Sequence, residues 1–135
     1  MAGYSKTPLV RKLGLKPGHR FYTLNEPNYY RSLLGELPEG VEVQSNLSTV
    51  ELDFIHVFFK DVEELESQIE NLKKALSKHG MLWVSWPKKA SKVVTTLSDG
   101  IVRDIGLHAG LVDTKKCAID EIWSGLKFVY RLKDR

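Results

Sequence analysis

Leu52-Asp53-Phe54-Ile55-His56-Val57-Phe58-Phe59 is apolar at all but two of its positions. A run that short and that continuous reads as a central strand covered on both faces. Asp61 follows as a helix cap, with Glu64 completing a capping-box pattern. Val62, Leu65, Ile69, Leu72 and Leu76 then recur at spacings of three and four, the signature of one buried helical face. Glu63, Glu66, Glu70, Lys73 and Lys74 take the solvated side, and Gly80 is the expected stop. Met81-Leu82-Trp83-Val84-Ser85-Trp86 is a second buried strand, ended by Pro87. Strand, helix, strand in this order is a βαβ unit, so the two strands are expected to be parallel.

Working outward, His19 to Leu24 reads as an earlier strand, broken by Asn25-Glu26-Pro27. A short helix over Tyr29 to Leu34 ends at Gly35, and Pro38-Glu39-Gly40 turns into a strand at Val41 to Gln44. Residues 1–18 form an arm with a helical turn, Leu9-Val10-Arg11-Lys12-Leu13, stopped by Gly14. Beyond the βαβ unit, Lys88 to Thr96 is a polar loop. Ser98 or Asp99 caps a helix carrying Ile101, Val102 and Ile105, which Gly110 ends. Leu111 to Ile119 and Leu126 to Leu132 are two last strands, joined through residues 120–125 as an antiparallel hairpin. The expected fold is α/β: a small Rossmann-like, mostly parallel sheet with helices on both faces and a C-terminal antiparallel hairpin. The expected organisation is a single domain over 1–135, with an arm at 1–18 and an α/β core at 19–135.

The chain's 135 residues, 42% hydrophobic and 27% charged, are enough for one buried core. A single cysteine, Cys117, rules out an internal disulfide framework and a zinc site of CxxC type. His19, His56, His79 and His108 show no HxH, HxxH or HExxH spacing, so no metal is expected. The first residues lack the apolar core of a signal peptide and no run of about 18 apolar residues occurs, so a cytoplasmic location away from the membrane is expected. A net charge of +3 permits an acidic partner but is weak support for nucleic acid.

Five segments carry a resemblance to a small bacterial family known only as a domain of unknown function. They are Gly3-Tyr4-Ser5 with Thr7-Pro8-Leu9, residues 13–18, residues 37–41, Leu82-Trp83-Val84-Ser85-Trp86-Pro87-Lys88-Lys89, and residues 118–126. That resemblance brings no activity with it. The parallel sheet closed by an antiparallel hairpin resembles, more distantly, the Rossmann-type methyltransferases that bind S-adenosylmethionine. Members of that class place a glycine-rich turn after the first strand, where backbone N–H groups approach the ligand. Here the turn is Asn25-Glu26-Pro27-Asn28, without glycine, and Pro27 removes a donor. Such enzymes also offer an acidic residue after the second strand, where this chain has Gln44-Ser45-Asn46.

Open α/β sheets bind ligands beyond the carboxyl ends of their strands. Those ends supply Asn25 and Glu26, Lys60 and Asp61, and Trp86-Pro87-Lys88-Lys89. If the hairpin packs as the methyltransferase resemblance implies, its turn adds Asp120, Glu121, Trp123 and Ser124 to one rim with Trp86, Lys88 and Lys89. Against this stand plainer readings of the same residues. Trp86 and Trp123 can close the sheet edge, and Lys88, Lys89 and Lys92 can be a solvated loop. Asp120 and Glu121 can pair with Lys88 or Lys127, and His56 can be a hydrogen-bonded core residue. Ser85 lies outside any G-x-S-x-G elbow, so a triad with His56 and Asp61 has no support. Three functions follow in order. The first is a non-enzymatic binding or regulatory module without a cofactor, taking a small anionic ligand or an acidic protein surface. The second is a divergent methyltransferase using S-adenosylmethionine, with Trp86 and Trp123 for substrate and Asp120 or Glu121 as base. The third is nucleic-acid association through Lys6, Arg11, Lys12, Lys16, Arg20 and Lys88-Lys89.

Overall fold

The computed structural model describes residues 8–47 and 51–135. The arm residues Gly3, Tyr4, Ser5, Lys6 and Thr7 lie outside them. Among the described residues six strands form one sheet: β1 (Arg20–Leu24), β2 (Glu42–Val43), β3 (Leu52–Phe58), β4 (Leu76–Pro87), β5 (Leu111–Ala118) and β6 (Trp123–Tyr130). Their order is β2-β1-β3-β4-β6-β5, with β1 to β4 mutually parallel and β6 antiparallel to both β4 and β5. The chain turns outward from β1 to β2 and then returns to β3 on the other side, so the switch in strand order falls between β1 and β3. Helices α1 (Leu9–Leu13) and α2 (Tyr30–Leu34) cover one face, and α3 (Val62–Ala75) and α4 (Asp99–His108) cover the other. Among the described residues no helix is long and apolar enough to cross a membrane.

Two-sided burial explains the apolar run. Phe54 and Phe58 pack with Phe21, Tyr30 and Trp83 under α1 and α2, while Ile55 and Val57 pack with Leu65, Leu72 and Val84 under α3. Trp83 is fully buried, and its Nε1 donates to the Leu13 carbonyl at 2.9 Å. The stops expected of Gly14 and Gly110 occur as left-handed glycines, at φ 87° and 93°.

Two boundaries differ from the expected ones by several residues. α3 ends at Ala75, because Leu76 is already extended (φ −77°, ψ 130°) and pairs with Leu52. Gly80 therefore does not stop a helix. It lies where β4 accommodates extra residues between the Leu52–Leu76 and Phe54–Met81 pairs, and a Cβ there would meet the Leu52 carbonyl oxygen at 2.8 Å. The last strand starts at Trp123, not Leu126, so the hairpin connection is shorter and Trp123, Ser124 and Gly125 belong to the ladder.

The Asp61–Glu64 capping box is also absent. Asp61 occupies the cap position without a side-chain cap bond, and the Val62 N–H donates to Thr96 Oγ1 at 2.8 Å. The loop thus caps the helix across space. Its Thr96 N–H and Thr95 hydroxyl both donate to the Lys60 carbonyl, at 2.9 and 2.6 Å. Thr96→Val, which keeps the shape and removes the acceptor, is expected to cost about 1 kcal/mol, read as a lower urea midpoint. An unchanged midpoint would mean that water replaces the cap.

Candidate functional site

The switch between β1 and β3 is where an open α/β sheet usually opens a crevice. In this chain it is bridged. Asn25 adopts a left-handed backbone (φ 59°), and its Nδ2 donates to the Phe58 carbonyl at 3.1 Å, spanning the carboxyl ends of both strands. Glu26 is held by the Thr23 hydroxyl and by Arg31, the latter at 3.2 Å. The Pro27 carbonyl accepts the Tyr30 N–H, opening an α2 of five residues. At the end of β2, the Gln44 backbone N–H is spent on the Phe21 carbonyl. The turn offers a side-chain bridge and a proline where the methyltransferase cradle presents backbone donors. Its residues do not fit the cofactor mode that the family resemblance implies.

Asp120 and Trp123 also turn inward. Asp120 Oδ1 accepts the Ile122 and Trp123 N–H groups, each at 2.8 Å, and its Oδ2 accepts the Tyr29 hydroxyl at 2.7 Å. It shapes the hairpin turn and ties it to the segment before α2, and it pairs with neither Lys88 nor Lys127. Trp123 packs edge-on against Phe58, with centroids 5.1 Å apart, whereas Glu121 is exposed. The expected single rim is therefore corrected. The ladder pairs Trp86 with Ser124 and Pro87 with Trp123. Successive strand residues point to opposite faces, so Trp86 goes to the α3/α4 face and Trp123 to the α1/α2 face. The two tryptophans therefore face opposite sides of the sheet.

Four of the expected residues do converge. Trp86, Lys88, Lys89 and Ser124 line a cavity of about 540 Å³ at the carboxyl end of β4, on the α3/α4 face. Lys92, Thr95, Leu97, Ser98, Asp99 and Lys116 complete its wall. The loop that closes it is fastened at both ends, by the Lys88 N–H to the Ile122 carbonyl (2.8 Å) and by the Thr95 and Thr96 bonds to Lys60. Asp99 lies between Lys116 (2.6 Å) and Arg103 (2.9 Å), and the hydrogen bond from Lys116 lowers its carboxyl pKa. Lys116 was invisible from sequence, because only the register of edge strand β5 on β6 brings it to the cavity wall. A second hollow, about 460 Å³, is the groove between α3 and α4.

Ser85 and His56 are bonded after all, His56 Nε2 to Ser85 Oγ at 2.7 Å. Their third member is Tyr30, whose hydroxyl meets His56 Nδ1 at 2.7 Å, and not Asp61. All three are fully buried. Burial alone lowers the His56 pKa to about 3, and burial first, with the Glu26 charge adding to it, raises that of the Tyr30 phenol. A neutral ring can accept from one neighbour and donate to the other, which satisfies the chain without charge. With no opening to a reactant, it is a polar element of the core. Cys117 is half-buried on β5, with its thiol pKa raised by burial.

No family model and no curated protein matches the chain. Solved structures do resemble it. A methyltransferase dependent on S-adenosylmethionine, from Aquifex aeolicus, superposes with a TM-score of 0.62 at 17% identity, covering 89% of this chain and 86% of that one. Magnesium protoporphyrin IX methyltransferase from Synechocystis PCC 6803, holding S-adenosylhomocysteine, gives 0.57 at 13% identity, covering 91% and 78%. Aeropyrum pernix fibrillarin with natively bound S-adenosylmethionine gives 0.57 at 14%, covering 94% and 70%. What these proteins share with the chain is the fold, an α/β methyltransferase-like sheet. The likenesses also correct the functional order expected from sequence. All three are methyltransferases or methyltransferase-fold proteins by their fold, two of them holding S-adenosylhomocysteine or S-adenosylmethionine, and this overturns the ranking that put a non-enzymatic module first.

Proposed function

We propose that this chain is a divergent methyltransferase domain, with S-adenosylmethionine as the cofactor that reading implies. The observation that supports it is the sheet: order β2-β1-β3-β4-β6-β5, with β6 running antiparallel between β4 and β5. The segments that resemble the uncharacterised bacterial family, residues 82–89 and 118–126, are laid side by side by the β4–β6 ladder at its carboxyl end. Because the turn at 25–28 lacks the usual cradle, no catalytic role is assigned to Asn25 or Glu26, and Asp120 is committed to its turn. S-adenosylmethionine, when bound, supplies an electrophilic methyl group.

Titration calorimetry and thermal shift with S-adenosylmethionine and S-adenosylhomocysteine test the reading. Binding at micromolar level is expected. At about 100 times the dissociation constant it stabilises by roughly 2.7 kcal/mol, several degrees for a domain of this size. No heat and no shift with either compound would reject it.

A further inference from the structure

We infer that the cavity between the end of β4, the 88–98 loop and β6 binds a small phosphate-bearing molecule with an apolar or aromatic body. Lys88, Lys89, Lys92 and Lys116 all line it, from two separate segments of chain, against a single carboxylate, Asp99. That carboxylate is already held by Lys116 and Arg103. No ion pair engages Lys88, Lys89 or Lys92 among the described residues. Three uncompensated ammonium groups around one concavity concentrate field lines and favour a multiply charged anion over a monovalent one. A phosphate group, with three acceptor oxygens, can take donors from several lysines together.

The rest of the wall asks for a different half of the ligand. Trp86, Pro87, Val93, Val94 and Leu97 are apolar, and Trp86 and Leu97 are buried at the cavity's inner side. A half-open concavity of about 540 Å³ lies within the range of small-molecule sites. The loop is also built. The Ser91 hydroxyl donates to the Lys88 carbonyl at 2.7 Å, and Lys92 is held at φ 63°, a backbone conformation lysine rarely adopts. The inference does not rest on the methyltransferase reading, since S-adenosylmethionine carries no phosphate.

The test uses the full chain labelled with nitrogen-15 and follows its three tryptophan indole signals. Of these, Trp86 lines the cavity, Trp83 is bonded to Leu13 and Trp123 faces the other side of the sheet. The probe is 1-naphthyl phosphate, with inorganic phosphate and 1-naphthol as half-ligands. Saturable binding that moves the Trp86 indole signal is expected, tighter than either half alone. Affinity should fall about tenfold or more in the exposed double variant Lys89→Gln/Lys92→Gln and on raising salt from about 50 to about 300 mM. Lys89→Arg/Lys92→Arg should retain binding. An unmoved Trp86 signal, or equal affinity in the glutamine variant, would overturn the inference. So would an oligonucleotide that binds better than the probe. A negative result here leaves cofactor titration unaffected, so the two readings fail separately.

Discussion

Wild-type stability is expected to fall by about 2 kcal/mol between pH 7.5 and pH 5, and most of that fall should vanish in a variant lacking His56. The ring is buried without a charged partner, between Tyr30 and Ser85, and its pKa is held near 3 against an ordinary 6.5. A histidine with a depressed folded pKa contributes its stability above the unfolded value and loses it as pH drops. The loss begins near 6.5, runs at up to about 1.4 kcal/mol per unit, and would be complete only near pH 3. The window above pH 5 is the clean one, because most carboxylates are still ionised there. Half-buried His19, also lowered mainly by burial, adds a smaller slope that both proteins share.

His56→Leu alone leaves the Tyr30 and Ser85 hydroxyls buried and unpaired, at about 1–3 kcal/mol each. The triple variant Tyr30→Phe/His56→Leu/Ser85→Ala removes every polar member and should recover much of that loss at pH 7.5. Urea denaturation of the three proteins at both pH values reads the result. If the wild type and the triple variant lose stability in parallel, His56 is not the titrating group.

The βαβ core could be read because its signal is local. Residues 52–59 are apolar on both faces, and Leu65, Ile69 and Leu72 keep a helical period, whatever the rest of the chain does. His56 could be recognised as a core histidine from its place in that run, although its partner Tyr30 lies on a separate helix and carries no sequence mark. The candidate site was half legible. Trp86, Lys88 and Lys89 follow each other in the chain and were found together. Trp123 was misplaced because starting the last strand at Leu126 treated 120–125 as a turn. Once Trp123 is a strand residue, the pairing of Trp86 with Ser124 decides which side each side chain takes. Lys116 and Thr95 reach the cavity only through register and through a long-range bond to Lys60. No spacing in the sequence encodes either.

Gly106→Ala should destabilise the chain by about 2–3 kcal/mol, the opposite of what helix propensity predicts. Gly106 lies inside α4, where alanine would ordinarily gain about 1 kcal/mol over glycine. In this structure a Cβ at that position would stand 2.1 Å from Phe128 Cε1 and 2.5 Å from Cζ. Phe128 is fully buried in β6 and packed among Leu82, Val102 and Leu111, so the ring has no free space to enter. Either α4 lifts from the sheet or the ring leaves its rotamer, and both costs exceed the propensity gain. The partner change gives the decisive comparison. In a Phe128→Leu background the clash is relieved, so adding Gly106→Ala should cost much less than in the wild type, a coupling of at least about 1 kcal/mol in the double-mutant cycle. Equal costs in the two backgrounds would mean that the helix and sheet are not in the contact described. The same glycine also sets how close α4 approaches the sheet, and α4's first turn carries Ser98 and Asp99 into the cavity wall. Lifting the helix should therefore loosen the lysine-lined site as well as the core, and binding of the naphthyl phosphate probe should weaken in Gly106→Ala even where the protein remains folded.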